Sequence, residues 1–247
     1  MVRRILAATL LAVCVAAVVV YQISRPAKVS ADPAVFVPSP AFFEKLSPGF
    51  RTSIADAYYL ATVQYYGEHL KSDQRFDSLP AMVDLVTTLS PHFKRAFFFG
   101  AFALIDAGRP DVAYRILERG FRENRNDWHF PAYLGFFAYT YGAAKDRDAL
   151  AAEWYGKAAA IPGRPDYLPR IAAALLAKGG QTEKAIIMWG QVYTAGDKYS
   201  QRRAVNELDK LLPNDKQARM KAVAPLYDTM PIADFEALIA ELFKGYE

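Results

Sequence analysis

YLGFFAYTYGAAKDRDALAAEWYGKAAAIPG, residues 133–163, places large aromatic rings beside glycine and alanine. A packed helical interior needs both sizes of residue. Where two helix backbones approach closely, only glycine or alanine leaves room for the neighbour. The rings then fill the wider spaces between helices. The stretch therefore predicts closely packed helices with the aromatic residues mostly in the core.

The helical pattern continues from Arg51 towards the C-terminus. Segments of roughly 10–18 residues carry apolar side chains at the i, i+3, i+4 and i+7 positions of an amphipathic helix. Glycine and proline interrupt the pattern at 108–110, 162–163, 179–180 and 213–214. No convincing strand pattern is present, so we predict an all-α fold.

Small residues recur at a fixed step. A spacing of 34 residues relates Gly67 to Ala101 and Ala101 to Gly135. Ala173 begins a fourth copy, after an insertion of about four residues around 143–148. We expect these residues to lie at close helix crossings. Alanines of the second helices take a similar place: Ala113, Ala151 and Ala185.

These features resemble the tetratricopeptide repeat (TPR) family, in a membrane-anchored bacterial form. Leu134-Gly135 matches the Leu-Gly of the first helix of a unit, and Ala151-x3-Tyr155 matches the Ala-x3-aromatic of the second helix. The resemblance implies four helix pairs, at about 60–93, 94–127, 128–165 and 166–199. Such pairs stack into a solenoid because one pair cannot bury its apolar face alone. A different helix-pair solenoid is the alternative.

The N-terminus predicts a membrane segment. Residues 5–23 carry no charge and follow Arg3-Arg4, and a helix of that length spans roughly the ~30 Å hydrocarbon core of a bilayer. We interpret 1–25 as a transmembrane signal anchor of a single-pass protein, with a cytoplasmic N-terminus and a periplasmic solenoid. A cleaved secretory signal is the alternative, and a lipoprotein signal ending at Cys14 is a third interpretation.

The remainder divides by composition. Residues 26–50 hold five prolines, at 26, 33, 38, 40 and 48, and are interpreted as a Pro-rich linker. Residues 51–199 form the predicted solenoid of about four helix pairs, and 200–247 form capping helices. Ser200 is the expected N-cap of the first capping helix. An apolar face on the last helix either closes the solenoid or docks on a partner.

Charge and motifs exclude several classes of function. Four of the 30 basic residues lie in the first 28 positions, and the other 26 equal the 26 acidic residues, so nucleic acid is not a predicted partner. Three dispersed histidines and one cysteine give no metal signature, and no nucleotide-binding or nucleophile motif is present. We predict a non-enzymatic protein without catalytic residues, cofactor or metal.

The resemblance implies a binding groove lined by the first helices of the units. Carried onto this sequence, the groove is aromatic with basic residues at its edges, which suits a protein or peptide partner. A glycan is an alternative ligand, and self-coverage of the rings by 34–46 or by the C-terminal helices is an alternative arrangement. The predicted groove residues are Arg95, Phe98, Phe102, Ile105, His129, Phe136, Tyr139, Tyr167 and Arg170.

The sequence therefore predicts a membrane-anchored scaffold or adaptor at the cell envelope, attached through residues 5–23. The alternative is a fixed structural subunit of an envelope secretion, pilus or polysaccharide assembly complex. Both functions would be non-enzymatic.

Overall fold

The computed structural model describes residues 37–46, 48–143 and 147–246, together with positions 13 and 17. Within these ranges the chain forms twelve α-helices and no strand, which confirms the all-α prediction for this part. A 3-10 turn at Pro48–Phe50 lies between the first two helices. The helices are α1 (Pro40–Leu46), α2 (Arg51–Lys71), α3 (Leu79–Leu89), α4 (Lys94–Asp106), α5 (Pro110–Glu123), α6 (His129–Tyr141), α7 (Arg147–Ala159), α8 (Tyr167–Lys178), α9 (Thr182–Ala195), α10 (Lys198–Leu211), α11 (Lys216–Tyr227) and α12 (Ile232–Leu242).

The helices from α2 to α9 pack as successive pairs. Each of α2, α4, α6 and α8 contacts the helix that follows it, and each pair also contacts the next pair. Aromatic rings join helices two positions apart. Phe97 of α4 lies edge-on to Phe130 of α6, with ring centroids 5.6 Å apart, and Phe121 of α5 meets Trp154 of α7 at 5.8 Å. The pairs are thereby stacked around a shared core.

The turn between the two helices has the same glycine conformation in two of these pairs. Gly108 after α4 has φ of +71° and Gly180 after α8 has φ of +74°, a conformation that glycine adopts without a Cβ clash. The next residue then donates its backbone N–H to a carbonyl of the last helical turn, from Arg109 to Leu104 at 2.8 Å in the first case. Both turns therefore place an alanine of the following helix in the core.

The prediction of small residues at close crossings is confirmed for Gly135. A Cβ there would lie 2.8 Å from the Tyr155 ring. Ala101 and Ala173 are fully buried. The prediction is wrong for Gly67, where a Cβ would meet nothing within 4 Å. Gly67 lies on the outer side of α2, since the residues of α2 that are buried are Ala55, Thr62, Tyr65 and His69.

Close approach occurs instead at a glycine that the repeat alignment did not single out for this role. A Cβ on Gly120 of α5 would lie 2.3 Å from Phe130 and 2.7 Å from Phe97. Both rings are fully buried. Gly120 thus makes the space in which two rings join the second and third pairs.

The first pair extends further towards the N-terminus than the first predicted repeat unit. α2 begins at Arg51, where the helical pattern and the predicted solenoid begin, whereas the first unit is predicted at about 60–93. The predicted linker 26–50 contains α1, which starts at Pro40 because proline is tolerated at the first helical position. α1 contacts α3, and Phe43 meets Tyr58 of α2 at 5.8 Å. Residues 37–46 therefore lie against the first pair.

The predicted membrane span, 5–23, lies outside the described residues except for positions 13 and 17. None of the helices in 37–46, 48–143 and 147–246 is long and apolar enough to cross a bilayer.

The last three helices enclose a second core. Leu238 and Leu242 of α12 are buried in it, and α12 contacts α9, α10 and α11. The prediction that Ser200 is the N-cap of α10 is wrong. Asp197 precedes the helix and accepts the backbone N–H of Ser200 at 2.8 Å, which satisfies a free donor of the first turn.

Candidate functional site

An aromatic pocket of about 330 Å³ opens on the surface formed by α4, α6 and α8, with one wall from α7. We call it the aromatic pocket. Three of its rings are substantially exposed, with 41% of Phe102, 41% of Phe136 and 45% of Tyr167 accessible to solvent. Contiguous exposed apolar surface of this kind is uncommon on proteins that bind nothing there. The lining residues are Phe102, Trp128, His129, Ala132, Tyr133, Phe136, Tyr155, Tyr167 and Leu168.

Contacts between α4 and α6 fix the rings on one side of the pocket. Phe102 lies edge-on to Tyr133 and to Phe137, with centroids 5.3 Å apart in both pairs. Phe98, one turn earlier on α4, packs against Tyr133 at 5.0 Å and against Phe130 at 4.7 Å. Edge-to-face pairs hold rings in defined orientations. Phe102 is therefore held by α6 although it remains partly exposed to solvent.

The loop before α6 supplies the mouth of the pocket. Trp128 stacks on His129, with ring centroids 3.6 Å apart and planes 20° apart. Asp127 accepts from the His129 backbone at 3.0 Å and lies 2.6 Å from its Nδ1. Lys94 of α4 pairs with the same carboxylate at 2.7 Å. This network ties the loop to α4 and holds the stacked rings in place.

The charge of Asp127 is stabilised by these partners. Burial of the carboxylate opposes its ionisation. Hydrogen bonds from Lys94 and from the backbone and ring of His129 outweigh that effect and hold the pKa of Asp127 below its ordinary value. Asp127 is therefore ionised at neutral pH and anchors the mouth of the pocket electrostatically.

Replacing Asp127 with asparagine should lower the free energy of unfolding by about 1–2 kcal/mol near pH 7. The pKa of Asp127 is lower in the folded chain than the value of about 3.9 expected in the unfolded chain. Its contribution is therefore present above about pH 4 and is lost as the pH falls through the folded-state pKa. Urea unfolding of both proteins should show a difference that narrows in acid. The exposed Asp228→Asn variant is the control, and a difference independent of pH would contradict the assignment.

The wall opposite Phe102 depends on a glycine. Tyr155 of α7 lies flat enough against α6 that a Cβ on Gly135 would come within 2.8 Å of its ring. Burial raises the pKa of Tyr155, helped by the neighbouring Tyr167. The Tyr155 hydroxyl is therefore neutral and can donate a hydrogen bond. The mixture of ring and glycine in the 133–163 stretch is what shapes this wall.

Beyond the pocket, basic side chains lie over exposed aromatic rings on the same surface. Tyr139 of α6 lies beneath Lys178 and Arg147, at 5.2 and 5.5 Å from the ring centroid. Arg170 of α8 lies over Tyr199, at 5.4 Å. Cations over aromatic faces attract the ring quadrupole. These contacts extend the α4–α6–α8 surface from the pocket towards α10.

Four of the nine predicted groove residues meet in the pocket: Phe102, His129, Phe136 and Tyr167. Phe98 and Ile105 are half-buried and pack towards the core. Arg95 is exposed on the Phe98–Phe102 side of α4, and Tyr139 and Arg170 lie beyond the lining. The lining residues that the resemblance did not supply are Trp128, Ala132, Tyr133, Tyr155 and Leu168.

The polar groups of the pocket lining are few. Its lining contains no carboxylate, amine, guanidinium, thiol or aliphatic hydroxyl, and His129 is its one imidazole. Within the ranges that the structure describes, no group of three or more potential metal ligands comes together. The lining also includes no residue of 37–46 or of α10–α12, so neither segment forms a cover over it.

Comparison of the chain with protein-family models and with curated proteins finds no match. The site must therefore be interpreted from its own residues.

Proposed function

We propose that the protein is a non-enzymatic adaptor that binds an extended peptide segment of a partner protein in the aromatic pocket. The observation that carries the proposal is the group of exposed rings of Phe102, Phe136 and Tyr167 around an open cavity. Rings held by edge contacts lose little conformational freedom on binding. Aromatic residues also dominate the energetics of protein interfaces.

The lining and its surroundings favour a particular chemistry of peptide. An aromatic or proline side chain would fill the pocket, where it could stack against Phe136 and Tyr167. Hydroxyl groups of Tyr133, Tyr155 and Tyr167 are available to hydrogen-bond peptide backbone. Arg95, exposed on the same side of α4 as Phe102, favours an acidic residue next to the apolar anchor.

We further propose that the stacked helix pairs are a TPR-like solenoid held at the envelope membrane by residues 5–23. The support for the solenoid is the recurrence of Gly and Ala at matching positions together with the pairwise packing of α2 to α9. The support for the anchor is the uncharged run itself. A membrane-held adaptor would keep its partner near the bilayer.

The alternative, a fixed structural subunit that docks through its last helix, has less support. The apolar residues Leu238 and Leu242 of α12 are buried within the chain. The rings of Phe102, Phe136 and Tyr167, by contrast, are exposed.

Selection of random peptides on phage against the full-length protein in lipid nanodiscs tests the adaptor proposal. We expect enriched peptides to share an aromatic or proline residue beside an acidic residue. For a synthetic peptide of that consensus, Phe102→Ala or Tyr167→Ala should weaken binding by roughly 30-fold, the loss typical of an interface hot spot. Arg95→Glu should weaken peptides with the acidic residue and leave neutral peptides nearly unchanged.

Tyr227→Ala provides the matched control, since Tyr227 is an exposed aromatic residue on α11 away from the pocket. It should bind the peptide like the unmodified protein. Circular dichroism should show equal helix content in all variants. The proposal would be overturned if both pocket variants bound the peptide as well as the unmodified protein does. It would also be overturned if the protein bound glycans on an array but selected no peptide.

A further inference from the structure

The outer side of α2 carries an exposed apolar row that nothing in the described chain covers. Leu60, Val63 and Leu70 are 63%, 37% and 46% exposed. With Gly67 they are spaced by three, four and three residues, the a/d spacing of a helix that packs along a second helix. The opposite side of α2 is buried against α3, through Ala55, Thr62, Tyr65 and His69.

We define the α2 seam by this row and its exposed neighbours. It runs over about four turns and has open space above Gly67, because a Cβ there would meet nothing within 4 Å. The residues of the α2 seam are Asp56, Ala57, Leu60, Val63, Gln64, Gly67, Leu70 and Lys71.

The α2 seam is complementary to itself when one copy is reversed. A two-fold axis between residues 63 and 64 brings Leu60 of one copy opposite Gly67 of the other. The same axis sets Ala57 at the level of Leu70. Leu60 and Leu70 therefore lie beside small residues, and each contact occurs twice, as a two-fold interface requires.

The same two-fold axis brings opposite charges together at the ends of the α2 seam. Asp56 of one copy lies opposite Lys71 of the other, and the reciprocal pair forms at the far end. A parallel pair would instead set Asp56 against Asp56, Lys71 against Lys71 and Gly67 against Gly67. That arrangement repels at both ends and leaves a gap in the middle. Charge and size thus favour one orientation.

We propose that two copies of the protein associate through the α2 seam, with their α2 helices antiparallel. Gly67 lets the helices approach closely, and Leu60 of the partner copy fills the space above it. The dimer does not depend on the peptide-binding function proposed above, since the seam and the aromatic pocket use different helices.

Disulfide crosslinking of the full-length protein in nanodiscs tests both the contact and its direction. Cys14→Ser removes the one native cysteine. In that background, Val63→Cys lies beside the two-fold axis and should give a covalent dimer on mild oxidation. Leu70→Cys should not crosslink to itself, because an antiparallel pair separates the two copies of residue 70 by roughly 20 Å. A mixture of the Ala57→Cys and Leu70→Cys proteins should crosslink.

Non-covalent association gives an independent measurement on the same protein. Lys71→Asp should lower the dimer fraction in sedimentation, and adding Asp56→Lys should restore it by re-forming the pair with reversed signs. Gly67→Leu should also give monomers. It has room within one chain, so unchanged helix content would show that only association is lost.

The proposal is overturned if Leu70→Cys crosslinks to itself as readily as Val63→Cys, which would indicate parallel helices. It is also overturned if all variants remain monomeric and uncrosslinked.

Discussion

Phe130→Ala should lower the free energy of unfolding by about 3–5 kcal/mol, the cost typical of removing a fully buried phenylalanine. The Phe130 ring is fully buried between the second and third helix pairs. Its centroid lies 5.6 Å from that of Phe97 and 4.7 Å from that of Phe98. Alanine would leave a cavity at the junction, and the surrounding rings can close it only in part.

Urea unfolding followed by circular dichroism measures this loss. Phe102→Ala is the matched control, because Phe102 is also a phenylalanine at the contact between α4 and α6 but is 41% exposed. Its replacement should cost much less, about 1 kcal/mol, since less apolar area leaves water on folding. Equal losses for the two variants would show that Phe130 is not the junction residue. The small expected effect of Phe102→Ala also makes it usable in the peptide-binding test.

Gly120→Val should destabilise the fold by about 3 kcal/mol, at the upper end for overpacked cores. A Cβ at this position would lie 2.3 Å from the Phe130 ring and 2.7 Å from the Phe97 ring. Both rings are buried and hold each other edge-on, so neither can move away without disturbing the junction. Gly120→Ala should be destabilising as well, although alanine favours a helix over glycine by about 1 kcal/mol.

Gly67→Ala should stabilise the fold, whereas Gly120→Ala should destabilise it. The position lies within α2 and has open space around it, so the variant should gain most of the ~1 kcal/mol helix preference of alanine. Thermal unfolding of the two Gly→Ala variants side by side therefore separates the effect of packing from that of backbone propensity. Two shifts of the same sign would contradict the assignment of Gly120 to a close crossing.

The same two glycines show how far the sequence predicts the fold. Periodicity and helix breakers predict the helical character of the chain, because they are local properties. Whether a glycine faces another helix depends on what is packed beside it. The 34-residue step assigns Gly67 and Gly135 to equivalent places. Gly135 meets Tyr155 of the second helix of its pair, whereas α2 turns Thr62, Tyr65 and His69 inwards and leaves Gly67 open. Local spacing also does not choose between Asp197 and Ser200 as N-cap, since both residue types cap helices well.

The sequence likewise predicts only part of the lining of the aromatic pocket. The stripe on the first helices predicts Phe102, Phe136 and Tyr167, which share one surface because their helices stack in order. Trp128 comes from the loop before α6 and Tyr155 comes from a second helix. Neither residue lies at a groove position of a first helix, so the resemblance that predicts Phe102, Phe136 and Tyr167 does not predict Trp128 or Tyr155. The ring crowding of 133–163, with Gly135 opposite Tyr155, is the one sequence signal that points to this wall.

The stacking of each helix chiefly on helices one or two positions away in the chain has a mechanical consequence. A pull applied between the N-terminal segment and a peptide held in the aromatic pocket would pass through α2 to α4 before it reached the later pairs. Pairs in such a stack are held mainly by their neighbours and can be peeled away singly. The first pair, α2 and α3, could therefore unfold under tension and lengthen the chain while α4 and the rest of the pocket stayed folded.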